Sequence, residues 1–231
     1  MRAQPENTTT PALELPWNRI DTVLLDMDGT LLDLHFDYHF WMHFVPERYA
    51  AQQGLGLPQA SQIIRDKIHS QVGTLNWYCL DYWQAQLGLP IAELKHELKH
   101  MIAEHPEVIR FLASLQALGK QVVMVTNAHR DSLAIKLEET EIGPYFDEMF
   151  SSHDFGLPKE SPQLWPQLRA KAAFNPQRTL LIDDNLSALR SARAYGIAHC
   201  LCATHVSPAL DPVDPQEFMG FDHFSEIIPN A

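Results

Sequence analysis

Short apolar runs alternate with stretches of helical period along most of this chain. Residues 22–25, 121–125, 148–151, 179–182 and 197–202 read as short buried strands. Residues 107–118, 130–141, 161–173 and 186–195 carry helical spacing, and Gly119 and Gly196 stop two of these helices. Strand and helix in alternation predict a parallel sheet covered by helices on both faces, a Rossmann-like α/β core. Residues 35–105 interrupt the alternation. They contain no convincing strand, and helical periodicity covers 37–53, 59–72, 75–87 and 91–105. Gly54, Gly56, Pro58, Gly73, Gly88, Pro90 and Pro106 punctuate these segments. The stretch is expected to be an inserted all-helical, four-helix unit, with Pro46 splitting or kinking its first helix. The expected organisation is a flexible arm at 1–16, a core domain built from 17–34 and 106–231, and a helical cap domain at 35–105. An apolar piece at 218–228 is expected to pack on the sheet edge.

Composition narrows the classes. The chain has 231 residues, 45% of them hydrophobic and five of them Trp, so a sizeable core needs no disulfide or metal staple. The formal net charge of −12 argues against a nucleic-acid polymer or an anionic membrane as partner. No stretch reaches membrane-spanning length, and residues 1–16 lack the apolar run of a signal peptide. Cys79, Cys200 and Cys202 form no evident disulfide framework, which points to a reducing compartment, the cytoplasm.

Ligands in parallel α/β folds bind at the carboxyl ends of the strands, so the polar residues there carry the chemistry. The run DTVLLDMDGTLLD, residues 21–33, places Asp26 and Asp28 just beyond the first strand. Residues two apart on an extended backbone share a side, so the two carboxylates repel unless a cation lies between them. Oxygen-only ligands suit Mg²⁺, and Gly29 permits a sharp turn. The second strand ends in Thr126 and Asn127 ahead of a helix, a place where a hydroxyl and free amides can hold an anion. Lys159 lies in the loop GLPKESP as a point charge able to offset a phosphate and the aspartates. Asp183 and Asp184 close the strand TLLI; adjacent residues point oppositely, so only one faces a metal unless the chain turns.

These four segments, in this order, resemble motifs I to IV of the haloacid dehalogenase-like hydrolases. The resemblance implies a Mg²⁺-dependent phosphatase. It assigns Asp26 as nucleophile and metal ligand, and Asp28 as general acid and base that lends a backbone carbonyl to the metal. It assigns Thr126 to a phosphoryl oxygen, Lys159 to charge neutralisation, and Asp183 and Asp184 to the metal, with Asp184 as the direct ligand. The acid at position 28 separates phosphatases from the dehalogenases of the family, because a leaving alkoxide needs a proton and a halide does not. An insert placed directly after the first motif is the position of the family's substrate-selecting cap.

Within the insert, TLNWYCLDYW, together with VTNAH, LAIKLE, FGLPKE and LIDDN, resembles the branch of this family that hydrolyses GMP and IMP. That likeness implies a purine nucleoside 5′-monophosphate as substrate, an aspartyl-phosphate intermediate, and Gly29, Asn127, Trp77, Tyr78 and Tyr82 as further substrate-binding residues. Most of the insert's aromatics are expected to fill its own interior. The alternatives are a phosphatase of phosphoglycolate or of a sugar phosphate, a phosphomutase, and a non-catalytic phosphate-binding module. His199, Cys200, Cys202 and His205 have the residue types of a zinc site, yet the two cysteines lie in an expected buried strand, where a free thiol is simply packed.

Overall fold

The computed structural model describes residues 13–229. Six strands form one parallel sheet in the order β3–β2–β1–β4–β5–β6. They are β1 (Thr22–Leu25), β2 (Gln121–Thr126), β3 (Glu148–Ser151), β4 (Thr179–Asp183), β5 (His199–Ala203) and β6 (Met219–Phe221). Both faces of the central strands are apolar because both are covered. Val23, Leu25, Val122, Met124, Leu180 and Ile182 enter one buried cluster, and the alternate residues Leu24, Val123, Val125 and Leu181 enter the other.

Helices seal each face. Val108, Phe111, Leu112 and Leu115 of the helix at Val108–Ala117 pack on the first face. The helices at Leu164–Ala172 and Leu186–Tyr195 cover the second, and the indole of Trp165 donates to Ser191 at 2.9 Å between them. The sixth strand is not among the expected strands, but the piece that holds it lies on the sheet edge as expected. The apolar piece near the end of the chain pairs with β5 at the edge, and its Phe221 buries with Phe224 and Ile227 that follow.

Between β1 and β2 the chain is helical: α1 (His35–His39), a π turn (Phe40–Phe44), α2 (Val45–Gln53), α3 (Leu57–His69), a 3₁₀ turn (Leu75–Tyr78), α4 (Leu80–Leu87), α5 (Ile91–Glu97) and a 3₁₀ turn (Lys99–Met101). Phe40, Val45, Ile64, Trp83 and Ile91 belong to an apolar cluster of its own. Pro46 neither ends nor splits the first helix. A proline cannot donate to the turn before it and crowds a carbonyl there, and the π turn just upstream, with Val45 N–H bonded to Phe40 O, accommodates it. The segment expected as one helix at 75–87 is instead a 3₁₀ turn followed by α4, and the one at 91–105 stops at Glu97. The two crossings of the insert run side by side: Asp33 N–H donates to Ala103 O and His105 N–H to Leu31 O, each at 2.9 Å.

Of the stretch expected to be a loose arm, residues 1–12 lie outside the described residues. Leu13 and Leu15 pack on the core, and Leu13 N–H donates to Glu226 O at 2.8 Å, so the expectation does not hold there. Among the described residues no helix is long and apolar enough to cross a membrane.

Candidate active site

In this strand order the direction of winding reverses between β1 and β4, which opens a crevice at their carboxyl ends. Asp26 follows β1, Asp183 ends β4 and Thr126 ends β2, so three distant segments meet there. Register enforces the meeting: Leu25 lies beside Ile182 and Met124, and Asp26 N–H donates to Ile182 O at 3.0 Å.

Lys159 is the cation at the centre, 2% exposed. Its ammonium donates to Asp26 Oδ1, and to Asp183 Oδ2 at 2.7 Å. Burial opposes that charge, but Asp183 and Asp26 outweigh burial and hold the ammonium above the usual lysine range. Asp183 is fully committed, since its other oxygen accepts from Asn185 N–H at 2.9 Å. Asp184 makes no side-chain hydrogen bond among the described residues and lies against Gly29, where a Cβ would come within 2.8 Å of its Oδ2. Gly29 has φ +80°, so the backbone turns there in a conformation that favours glycine. Burial, with the charges of Asp26 and Asp183, raises the Asp184 carboxyl well above the carboxylate range.

One oxygen from each of Asp26, Asp183 and Asp184 falls within 4.8 Å of the others. Three carboxylates share one lysine, and the excess negative charge is what a hard divalent cation with oxygen ligands neutralises. The residues therefore fit Mg²⁺.

Asp28 stands outside this trio. Its carboxylate accepts from Lys136, whose ammonium also donates to Asp37 of α1; Asp37 in turn accepts from the buried Lys95 of α5. Burial pushes the Asp28 carboxyl up to about 6, with Lys136 opposing and Asp37 and Asp26 adding to the rise.

Other expected residues have different partners from those anticipated. The Asn127 side chain accepts from Lys159 N–H at 2.9 Å and donates to Glu160 at 3.0 Å, so it positions the lysine loop, and it also lines the cavity above Asp26. The Gly29 amide is bound to Leu32 O at 2.8 Å. Thr126 Oγ1 accepts from Ala128 N–H at 3.0 Å, which leaves its own proton for a ligand. Trp77 and Tyr78 line the cavity above Asp26, whereas Tyr82 packs edge-on against Trp83 and is not among the lining residues. Trp83 Nε1 donates to Trp77 O at 3.0 Å and fixes that turn. Glu160 accepts from Tyr78, Asn127 and Asn185 and so ties insert, β2 loop and β4 loop together. Sequence reasoning singled out none of Glu160, Lys136, Asp37, Lys95 or Asn185 as site residues. Glu160 and Asn185, each beside a flagged residue, and Lys136, inside LAIKLE, had a local signal.

The thiols of the zinc-like residue set are packed against the sheet, as expected. Cys200 and Cys202 pack beside the second face of the sheet, where burial pushes both thiols up to about 12, and the His205 ring lies edge-on to His105 and tilted against His223.

Fold and site define an α/β enzyme whose chemistry is built from carboxylates at the ends of its central strands. The chain belongs to the haloacid dehalogenase-like hydrolases, which it matches over residues 20–196, and it is a phosphatase-type member. It is 40% identical over 218 residues to the GMP/IMP nucleotidase YrfG of Escherichia coli (strain K12), covering 94% of this chain and 98% of that one. It is 27% identical over 220 residues to a phosphoglycolate phosphatase of Nitrosococcus oceani, covering 90% and 94%. The crystal structure of a HAD phosphatase from Thermococcus onnurineus shares the fold, with a TM-score of 0.77 at 19% identity over 90% of this chain and 95% of that one.

Proposed function

We propose that this enzyme is a Mg²⁺-dependent phosphomonoesterase of purine nucleoside 5′-monophosphates, GMP and IMP foremost, and that residues 35–105 act as a cap over its site. One observation carries the substrate reading. The cavity above Asp26, about 210 Å³, adjoins a second of about 140 Å³ beside Asp37 and Lys95, and a third of about 210 Å³ walled by Trp41, Trp77, Trp83 and Tyr38. Leu34 and Trp77 line all three, so a polar cavity and an aromatic cavity share walls and lie side by side. Phosphate, ribose and a flat base present that succession of chemistries. The similarity to a GMP/IMP nucleotidase over nearly the whole chain supports the same reading.

Asp26 attacks phosphorus with the oxygen not held by Lys159, forming an aspartyl-phosphate as the bond to O5′ breaks. Asp28 gives its proton to O5′. It then takes a proton from the water whose attack on phosphorus releases inorganic phosphate and restores Asp26. Lys159 offsets the phosphoryl charge, and the Thr126 hydroxyl donates to one phosphoryl oxygen. Asp26, Asp184 and the Asp28 backbone carbonyl, with Asp183 behind them, would hold Mg²⁺, which would supply Lewis-acid neutralisation of the phosphoryl oxygens. The cytoplasm is the compartment that three free thiols fit.

The test is kcat/KM for GMP, IMP, AMP, UMP, phosphoglycolate and a sugar phosphate with Mg²⁺. GMP and IMP are expected to exceed the pyrimidine nucleotide and the small esters at least about tenfold. A tenfold lead for phosphoglycolate or the sugar phosphate, about 1.4 kcal/mol of transition-state preference, overturns the nucleotide reading and leaves the phosphatase.

A further inference from the structure

A second cluster of ligating side chains, with different chemistry, includes residues next in sequence to those that line the cavity above Asp26. Cys79 sits at the N-terminus of α4 in the helical insert, His129 in the loop after β2, and His153 in the turn after β3. One donor atom from each falls within 4.8 Å of the others. The two imidazole rings lie 5.0 Å apart at 79°. Among the described residues His153 Nε2 is buried and has no hydrogen-bond partner. A buried imidazole nitrogen with no hydrogen-bond partner is free to ligate a metal. Asp81, in the first turn of α4, brings Oδ2 to 3.5 Å from His129 Nε2, and solvent completes the coordination of an ion held by the three donors.

We propose that Cys79, His129 and His153 form a binding site for a borderline-soft transition metal of the Zn²⁺ class, bridging the helical insert to the loops at the end of the sheet. A thiolate and two imidazoles select Zn²⁺ or Co²⁺ over Mg²⁺, whereas the all-oxygen trio of Asp26, Asp183 and Asp184 does the reverse. With Zn–S about 2.3 Å and Zn–N about 2.0–2.1 Å, donors around a four-coordinate ion stand roughly 3.3–3.6 Å apart, so closure asks for shifts of about an ångström. Binding releases the Cys79 thiol proton to solvent. Cys79 directly follows Trp77 and Tyr78, and His129 follows Asn127 and Ala128, all four of which line the cavity above Asp26. An ion here staples the insert to the core beside that cavity, and exchange of substrate and product through it slows.

Co²⁺ titration into metal-free, full-length protein under saturating Mg²⁺ reads the site directly, because Mg²⁺ keeps the carboxylates occupied. One equivalent is expected, with a thiolate-to-cobalt band in the near ultraviolet and visible bands of four-coordinate intensity, all displaced by Zn²⁺. Cys79→Ser should abolish the near-ultraviolet band and His153→Gln should weaken binding at least tenfold, while Cys200→Ser and Cys202→Ser change neither. Neither Cys79 nor His153 lines the cavities, so both variants should keep the Mg²⁺-supported turnover. One equivalent of Zn²⁺ should slow the wild-type enzyme several-fold and leave His153→Gln unaffected. Absence of the thiolate band, its survival in Cys79→Ser, or wild-type affinity in His153→Gln overturns the site. Binding that leaves turnover unchanged overturns the staple.

Discussion

Asp26 and Asp28 are two residues apart and have different counter-ions. Asp26 shares Lys159 with Asp183, and Asp28 shares Lys136 with Asp37. Replacing Asp26 by Asn removes the attacking oxygen and a metal ligand together. Turnover of GMP should fall by roughly 10⁴-fold or more, on the scale of a lost nucleophile. The thermal midpoint should not fall, because one charge leaves a crowded acidic trio; a variant with near-normal turnover would sink the assignment. Lys136→Met is a harsher change for the fold. Lys136 is 1% exposed, and its loss leaves two acids without their shared cation. Removing one partner of a buried pair costs about 3–5 kcal/mol, and the lower end applies here because Asp37 keeps Lys95. Urea unfolding should show that loss, and kcat should fall more than KM changes.

The element that ends at each catalytic position also needs a beginning for the next one. β4 runs into Asp183 and Asp184, and Asn185 then caps the helix at Leu186–Tyr195 by accepting from Ser187 N–H at 2.9 Å and Ala188 N–H at 3.3 Å. The same side chain donates to Glu160 at 2.8 Å. Asn185→Ala therefore removes a helix cap and one strut of the lysine loop. The expected cost is about 1–2 kcal/mol in a urea melt, from the cap and the lost side-chain hydrogen bond. Unchanged stability would mean that Ser187 and Ala188 amides find equivalent partners in water.

Across the whole molecule, a net charge of −12 coexists with a site built for an anion. The balance must be local, from Lys159, Lys136, Lys95 and a bound cation. Exhaustive chelation should abolish turnover, Mg²⁺ should restore it, and Ca²⁺, which takes more ligands at longer distances, should not. Full activity in the chelated enzyme would reject the metal-assisted mechanism. The insert lies over the sheet end, and Trp77 is the aromatic shared by all three cavities. Base stacking is worth about 1–3 kcal/mol, so Trp77→Ala should lower kcat/KM for GMP by roughly 5- to 150-fold and that for phosphoglycolate much less. Equal losses for the two substrates would place Trp77 in the scaffold and not in base recognition.

The local pattern determined most of the sheet and the identity of its strand-end acids. Apolar runs of four to six residues announce buried parallel strands, and Asp26, Thr126 and Asp183 stand at or just past their ends, where the backbone pairing stops. The strand at Met219–Phe221 was legible only as an apolar piece, because an edge strand of three residues carries too little period to count. Tertiary structure alone decided the counter-ions and the lining. Lys136 and Asp28 are 108 residues apart, and Tyr78 and Glu160 are 82 apart, so no spacing along the chain relates them. The sequence could not rank Trp77 above Tyr82. That choice depends on a 3₁₀ turn held by the Trp83 indole, which presents one ring to the cavity and leaves the other packed against Trp83. The partners of Asp183 and Asp184 were likewise undetermined, because they depend on which carboxylate meets Lys159 and which meets the bare backbone of Gly29 once β1 and β4 lie side by side.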